Sequence, residues 1–130
     1  MIVRISSLLV LGAVLVSGSA WAHHNMSAVF DFNDRVTLSG TLAKIDWRNP
    51  HIELIVDAKR ENGQVETWKG EGPAPIFFRS RDTDKPDFEK ALGKTLTMEV
   101  SRARDGSNSG LIRTITMPDG KVVSLCPQNC

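Results

Sequence analysis

The chemistry open to this sequence rests on three histidines, two of them adjacent. His23 and His24 stand in SAWAHHNM, and His51 follows the turn Arg48-Asn49-Pro50. A chain cut after Ala22 begins at His23, which then offers one metal ion both its α-amino group and its imidazole. His24 or His51 supplies a second imidazole. An amine and two imidazoles make a T-shaped set of nitrogen donors, which suits copper, because Cu(II) favours planar nitrogen ligation and heads the divalent affinity order. Met26 adds a thioether, a soft donor that suits Cu(I). A cut after Ala20 also makes a copper site: Trp21 is then first, and the amine, two amides and the His23 imidazole hold Cu(II) in a square plane. The bland alternative is that two histidines are simply tolerated at a chain end and that His51 hydrogen-bonds its own loop.

Other residues offer less. Glu53 and Asp57 share with His51 one face of the strand that follows it, where a carboxylate can orient an imidazole. Trp47 and Trp68 read as packing residues of a core or barrel mouth. The functional alternative for them is an aromatic platform for a small molecule, a glycan or a partner protein. Cys126 and Cys130, in CPQNC, pair as a disulfide in an oxidising compartment or act as a soft metal-binding dithiol. A loop this short ties down little more than a chain end. Arg102, Arg104 and Asp105 read as solvated charges beside a loop, and Phe77 and Phe78 as caps on the core. No Gly-x-Ser-x-Gly elbow, Gly-rich phosphate loop or His-Glu-x-x-His motif is present, so a binding module is expected in preference to an enzyme.

The leader explains where the histidine pair sits. MIVRISS carries one cation, Arg4, and precedes the apolar run LLVLGAVLV and the small-residue sites Ala20 and Ala22. That is the pattern of a cleaved secretory signal peptide. The run is far shorter than the roughly 20 apolar residues a membrane-spanning helix needs. Residues 1–22 are therefore read as a signal peptide, residues 23–125 as one small domain and residues 126–130 as a cysteine-containing tail. The destination is the periplasm or the exterior, with no membrane span after cleavage. Of the 16 basic residues one is Arg4, so the mature chain balances its 15 acidic residues. Neutrality argues against nucleic acid and anionic membrane as partners and leaves a metal ion or small ligand.

The elements that must position these residues are mostly strands. Val36, Leu38, Gly40 and Leu42 alternate with polar residues, and then the apolar phase shifts to Ile45 and Trp47, which predicts a bulge or bend near Ala43 and Lys44. HIELIVDA is a second strand with Ile52, Leu54 and Val56 on one face. Asn62-Gly63 is a hairpin signal, and VETWKG completes a meander. APIFFRSR and the Pro86-led DFEKALG, closed by Gly93, read as short helical turns. Strands resume with KTLTMEVSRA, LIRTITM and KVVSL. Three strands, a helical connection and two or three further strands predict an all-β fold, a small bent antiparallel barrel of the OB-like type. The rival arrangement is a β-sandwich fragment with an incidental helix.

The start His23-His24, the run Val36-Thr37-Leu38-Ser39-Gly40-Thr41 leading to Trp47-Arg48-Asn49-Pro50-His51, and Ala103-Arg104-Asp105-Gly106-Ser107-Asn108 resemble a family of small exported bacterial proteins, the domain-of-unknown-function family 6152. The likeness spans about residues 22–120. It implies export and a small β-barrel, and it supplies no reaction. Two departures stand out. The segment GEGPAPIFFRSRD keeps the family's Gly-Pro but lacks a tryptophan that follows in its pattern, and CPQNC lies outside the pattern.

Overall fold

A computed structural model describes residues 25–125. Residues 1–22, expected to be a signal peptide, and His23, His24, Cys126 and Cys130 lie outside the described residues. A single helical turn, α1 (Met26–Val29), leads into β1 (Phe30–Asp46), which is long enough to serve two neighbours. Residues Phe30 to Thr41 pair with β4 (Thr95–Ala103), and Gly40 to Asp46 pair with β2 (Glu53–Lys59). The expected bend is a bulge at Ala43: Leu42 faces Val56 and Lys44 faces Ile55, so one residue of β1 has no opposite number. Gly40 allows the strands to close at the bend, since a Cβ there would stand 2.4 Å from the Asp57 carbonyl oxygen.

Strand β3 (Val65–Glu71) returns from the Asn62-Gly63 turn, in which Gly63 has a positive φ of 83°. The connection to β4 holds a 3-10 turn (Pro75–Ser80) and α2 (Lys85–Ala91). The latter is opened by a capping box in which Asp87 accepts the Asp84 amide at 2.9 Å, with Pro86 in the first turn. Phe78 and Phe88, from the two turns, are fully buried and close one end of the core, with Trp47 stacked against them at 4.7 and 5.2 Å.

Strand β5 (Ser109–Thr116) pairs antiparallel with β4, and β6 (Val122–Ser124) pairs with β5. The ring closes through β3 and β5, which run parallel with Lys69, Gly70 and Glu71 opposite Ser109, Gly110 and Leu111. The strand circuit is therefore β1-β2-β3-β5-β4 and back to β1, the OB-like order that three strands, a helical connection and three more strands call for. Inside it lie Leu42, Leu54, Val56, Met98, Val100, Ile112 and Ile115, all essentially without solvent contact. Among the described residues no helix is long and apolar enough to cross a membrane.

Candidate functional site

At one end of the ring, the end of β1, the turn after it, the start of β2 and the end of β3 surround a cleft of about 310 Å³. Asp46, Arg48, Asn49, Pro50, His51, Glu53 and Glu71 line it from these elements, and Met26, Val29 and Phe30 line it from the N-terminal side. The Asn49-Pro50 peptide is cis. Beyond it the chain joins the ladder at once, as the Gly72 amide donates to the Ile52 carbonyl at 2.9 Å and the Ile52 amide donates to the Pro73 carbonyl at 3.1 Å.

Pairing register selects the partner of His51. Glu53 faces Glu71, so Glu71 lies diagonally across the ladder from His51 on the same face, within reach of a side-chain contact. His51 Nδ1 is 2.6 Å from Glu71 Oε1. A carboxylate at this distance favours a hydrogen on Nδ1, the form of the ring in which the Nε2 lone pair is left for another partner. The same rule runs down the strands. Glu53, expected to orient the imidazole, is held diagonally by Lys69 at 3.4 Å, and Asp57, the other candidate, accepts from the Thr67 hydroxyl directly opposite at 2.7 Å. The orienting residue is Glu71, which alternation within one strand does not reveal.

Three carboxylates and one guanidinium line the cleft, so its wall is acidic. Each carboxylate is engaged: Asp46 by Arg48 at 2.7 Å, Glu53 by Lys69, and Glu71 by His51. The displaced protonation equilibria lie elsewhere. The hydroxyl and then the amide of Ser107 hold the Asp105 carboxyl below its ordinary range, and a side-chain hydrogen bond from Arg60 does the same for Glu66. Desolvation, aided by the charge of Arg35 and opposed by Glu99, lowers the pKa of Arg113, which is buried in β5 beside Ser101.

Arg104 is exposed, as expected of a solvated charge, and it also makes three contacts with the N-terminal segment. Its amide donates to the Val29 carbonyl at 2.9 Å, its Nε donates to the Ser27 carbonyl at 2.9 Å, and its Nη1 pairs with Asp31 Oδ2 at 3.2 Å. One residue after β4 thus fastens the N-terminal turn to the ring. Within that turn Met26 is half-buried against the cleft while Ser27, Ala28 and Val29 are exposed.

Met26 and His51, named from sequence, therefore share one cleft, and the His23-His24 pair immediately precedes its N-terminal wall in the chain. Trp47 and Trp68 do not line it. Trp68 points into the core at 2 % exposure with its Nε1 unpartnered, and Trp47 is half-buried on Phe78 and Phe88. Among the described residues no three His, Cys, Asp or Glu side chains gather as a metal site, so any metal at His51 needs donors from outside that set.

The family model described as "Family of unknown function (DUF6152)" matches residues 12–113, well over half of the chain. The chain belongs to DUF6152. The DUF6152 match takes in the histidine pair, the Asn-Pro-His turn, Glu71 and Arg104, and it stops before β6 and CPQNC. No curated protein and no solved structure matches the chain.

Proposed function

We propose that this DUF6152 protein is an exported binding module, periplasmic or secreted, that holds copper or a similar late transition metal in the cleft. His51 Nε2 is one donor. The others are the amine and imidazole of His23, the imidazole of His24 and the thioether of Met26. One observation carries the reading: His51 is oriented by Glu71 at 2.6 Å, in the carboxylate–histidine arrangement that readies an imidazole for a metal, and Met26 lines the same cleft. His24 is two residues before Met26, and two residues of chain reach at most about 7 Å. An acidic wall favours a cationic occupant. Export is supported by the leader, and the lack of a catalytic motif and the neutral charge of the mature chain support a role other than catalysis or nucleic-acid binding.

The test is isothermal titration with Cu(II) of three proteins: the mature chain beginning at His23, the same chain extended by one N-terminal residue, and His51→Ala. Tight one-to-one binding by the first, with affinity reduced at least about tenfold in each of the others, or about 1.4 kcal/mol, is expected. Equal affinity across all three overturns the reading.

A further inference from the structure

Between α2 and the turn that joins β5 to β6 lies a second cavity, of about 260 Å³. From its lining we infer that it binds a small organic carboxylate, with the anionic head held by Lys90 and Lys94 and the apolar body seated on Ala91 and Met117. This site is separate from the cleft at His51 and does not depend on the copper reading. Its volume lies just under the roughly 300–1,000 Å³ of typical ligand sites, so its occupant is small.

The floor is closed and mostly apolar. Ala91 of α2 and Met117, just past the end of β5, are 2 % and 6 % exposed, and buried Thr83 donates its hydroxyl to the Asp82 carbonyl at 2.7 Å. The rim carries both signs of charge, but the acids are committed to the fold. Asp87 accepts the Asp84 amide in the capping box at 2.9 Å, and Asp119 accepts the Lys121 amide at 2.9 Å. The Lys121 ammonium is held by the Asp82 carboxylate at 3.2 Å. Lys90 and Lys94 line the cavity and form no ion pair among the described residues.

The chain brings these two lysines to one rim. Lys90 is in the last turn of α2, Gly93 turns the backbone with a φ of 76°, and the Lys94 amide returns to the Ala91 carbonyl at 2.9 Å. An anion between them relieves their mutual repulsion, and a low-dielectric floor strengthens its attraction to both. Three lysines against two aspartates leave the lining with one positive charge, which suits a monoanion. A lysine meets an anion as a point charge, and the apolar floor supplies no donors for the further oxygens of a phosphate.

The experiment titrates the mature chain, followed by its backbone amide resonances, with benzoate, with benzyl alcohol as the uncharged counterpart and with inorganic phosphate. Benzoate should bind at about 1 mM or tighter and shift the amides of Ala91, Lys94 and Met117, which the other two compounds leave unmoved at equal concentration. The double variant Lys90→Gln, Lys94→Gln should lose about tenfold or more in benzoate affinity. Both residues are exposed, and an unchanged thermal midpoint confirms that the variant folds. The control variant Lys44→Gln, Lys59→Gln removes the same charge from residues that do not line the cavity and should keep the native affinity. Absence of a benzoate shift at these amides, or equal shifts from benzyl alcohol or phosphate, overturns the inference. So does native affinity in the first double variant, or an equal loss in both, which would reduce the effect to net charge. The copper titrations of the preceding section are decided separately from all of these outcomes.

Discussion

His51 and Glu71 are the smallest unit on which the chemistry of the cleft depends. The carboxylate stands 2.6 Å from Nδ1, close enough to set the orientation of the ring. Glu71→Gln keeps the size and an acceptor oxygen but removes the charge. It should lower metal affinity about 10-fold, toward the mild end of what the loss of such a partner costs, and leave the thermal midpoint of the metal-free protein nearly unchanged. Titration of the variant against the native protein decides it, and equal affinities would mean that the ion pair does not tune a ligand. The histidine was legible in the sequence and its partner was not. Alternation along one strand gives the face of a side chain, which is why Glu53 and Asp57 seemed the natural neighbours of His51. The partner follows from register, and the register is set by a three-residue loop, Glu61 to Gly63, closed between Arg60 and Gln64; a two-residue Asn62-Gly63 turn would have shifted every pair by one and put Gly72, not Glu71, opposite Glu53.

Among the elements, the strands were legible because their periodicity is local, and the clamp on α1 was not, because it joins residues far apart in the chain. The phase slip after Leu42 became the bulge at Ala43, and the Pro86-led turn became α2, whose Asp84–Asp87 capping box the structure adds. The parallel contact of β3 with β5 was illegible, since it passes through Gly70 and Gly110, and Gly110 reads as part of a loop. Its role appears once the strands are packed: a Cβ at Gly110 would stand 2.7 Å from the Val100 Cβ. Arg104 likewise read as one more surface cation, although three contacts bind it to Ser27, Val29 and Asp31. Arg104→Met keeps the backbone bond and much of the side-chain length and removes the two polar side-chain contacts. An exposed ion pair contributes about 0–1 kcal/mol and a hydrogen bond about 1 kcal/mol, so global stability should fall by no more than about 2 kcal/mol. Local effects should be larger. Amide exchange at Ala28 should quicken markedly, and copper affinity should fall as the turn that carries Met26 loosens. Unaltered exchange at Ala28 would show that the turn is held by something other than Arg104.

At the scale of the whole molecule, the cleft draws together parts of the chain that the unfolded protein holds apart: Met26 in the N-terminal turn, His51 after the Asn-Pro turn, and Glu71 beside the β3–β5 closure of the ring. A metal that needs all of them binds the folded state far better than the unfolded one, and binding then adds directly to stability. At a free metal concentration one hundred times Kd the gain is about 2.7 kcal/mol, less whatever the unfolded histidines bind. For a domain of this size that corresponds to a rise in thermal midpoint on the order of 10 °C. The sign with pH follows from the donors. A ligating imidazole and amine must be unprotonated, so protons compete with the metal, and the gain is complete at mildly alkaline pH and lost as pH falls through the imidazole range, about 6.5. Thermal scans of the mature protein, with and without copper, at about pH 7.5 and about pH 5 should show the metal-dependent rise at the first and almost none at the second. A rise that persists undiminished in acid would assign the metal to donors other than histidine and the chain terminus. No rise at either pH would mean that folding does not assemble these three segments into a chelating site.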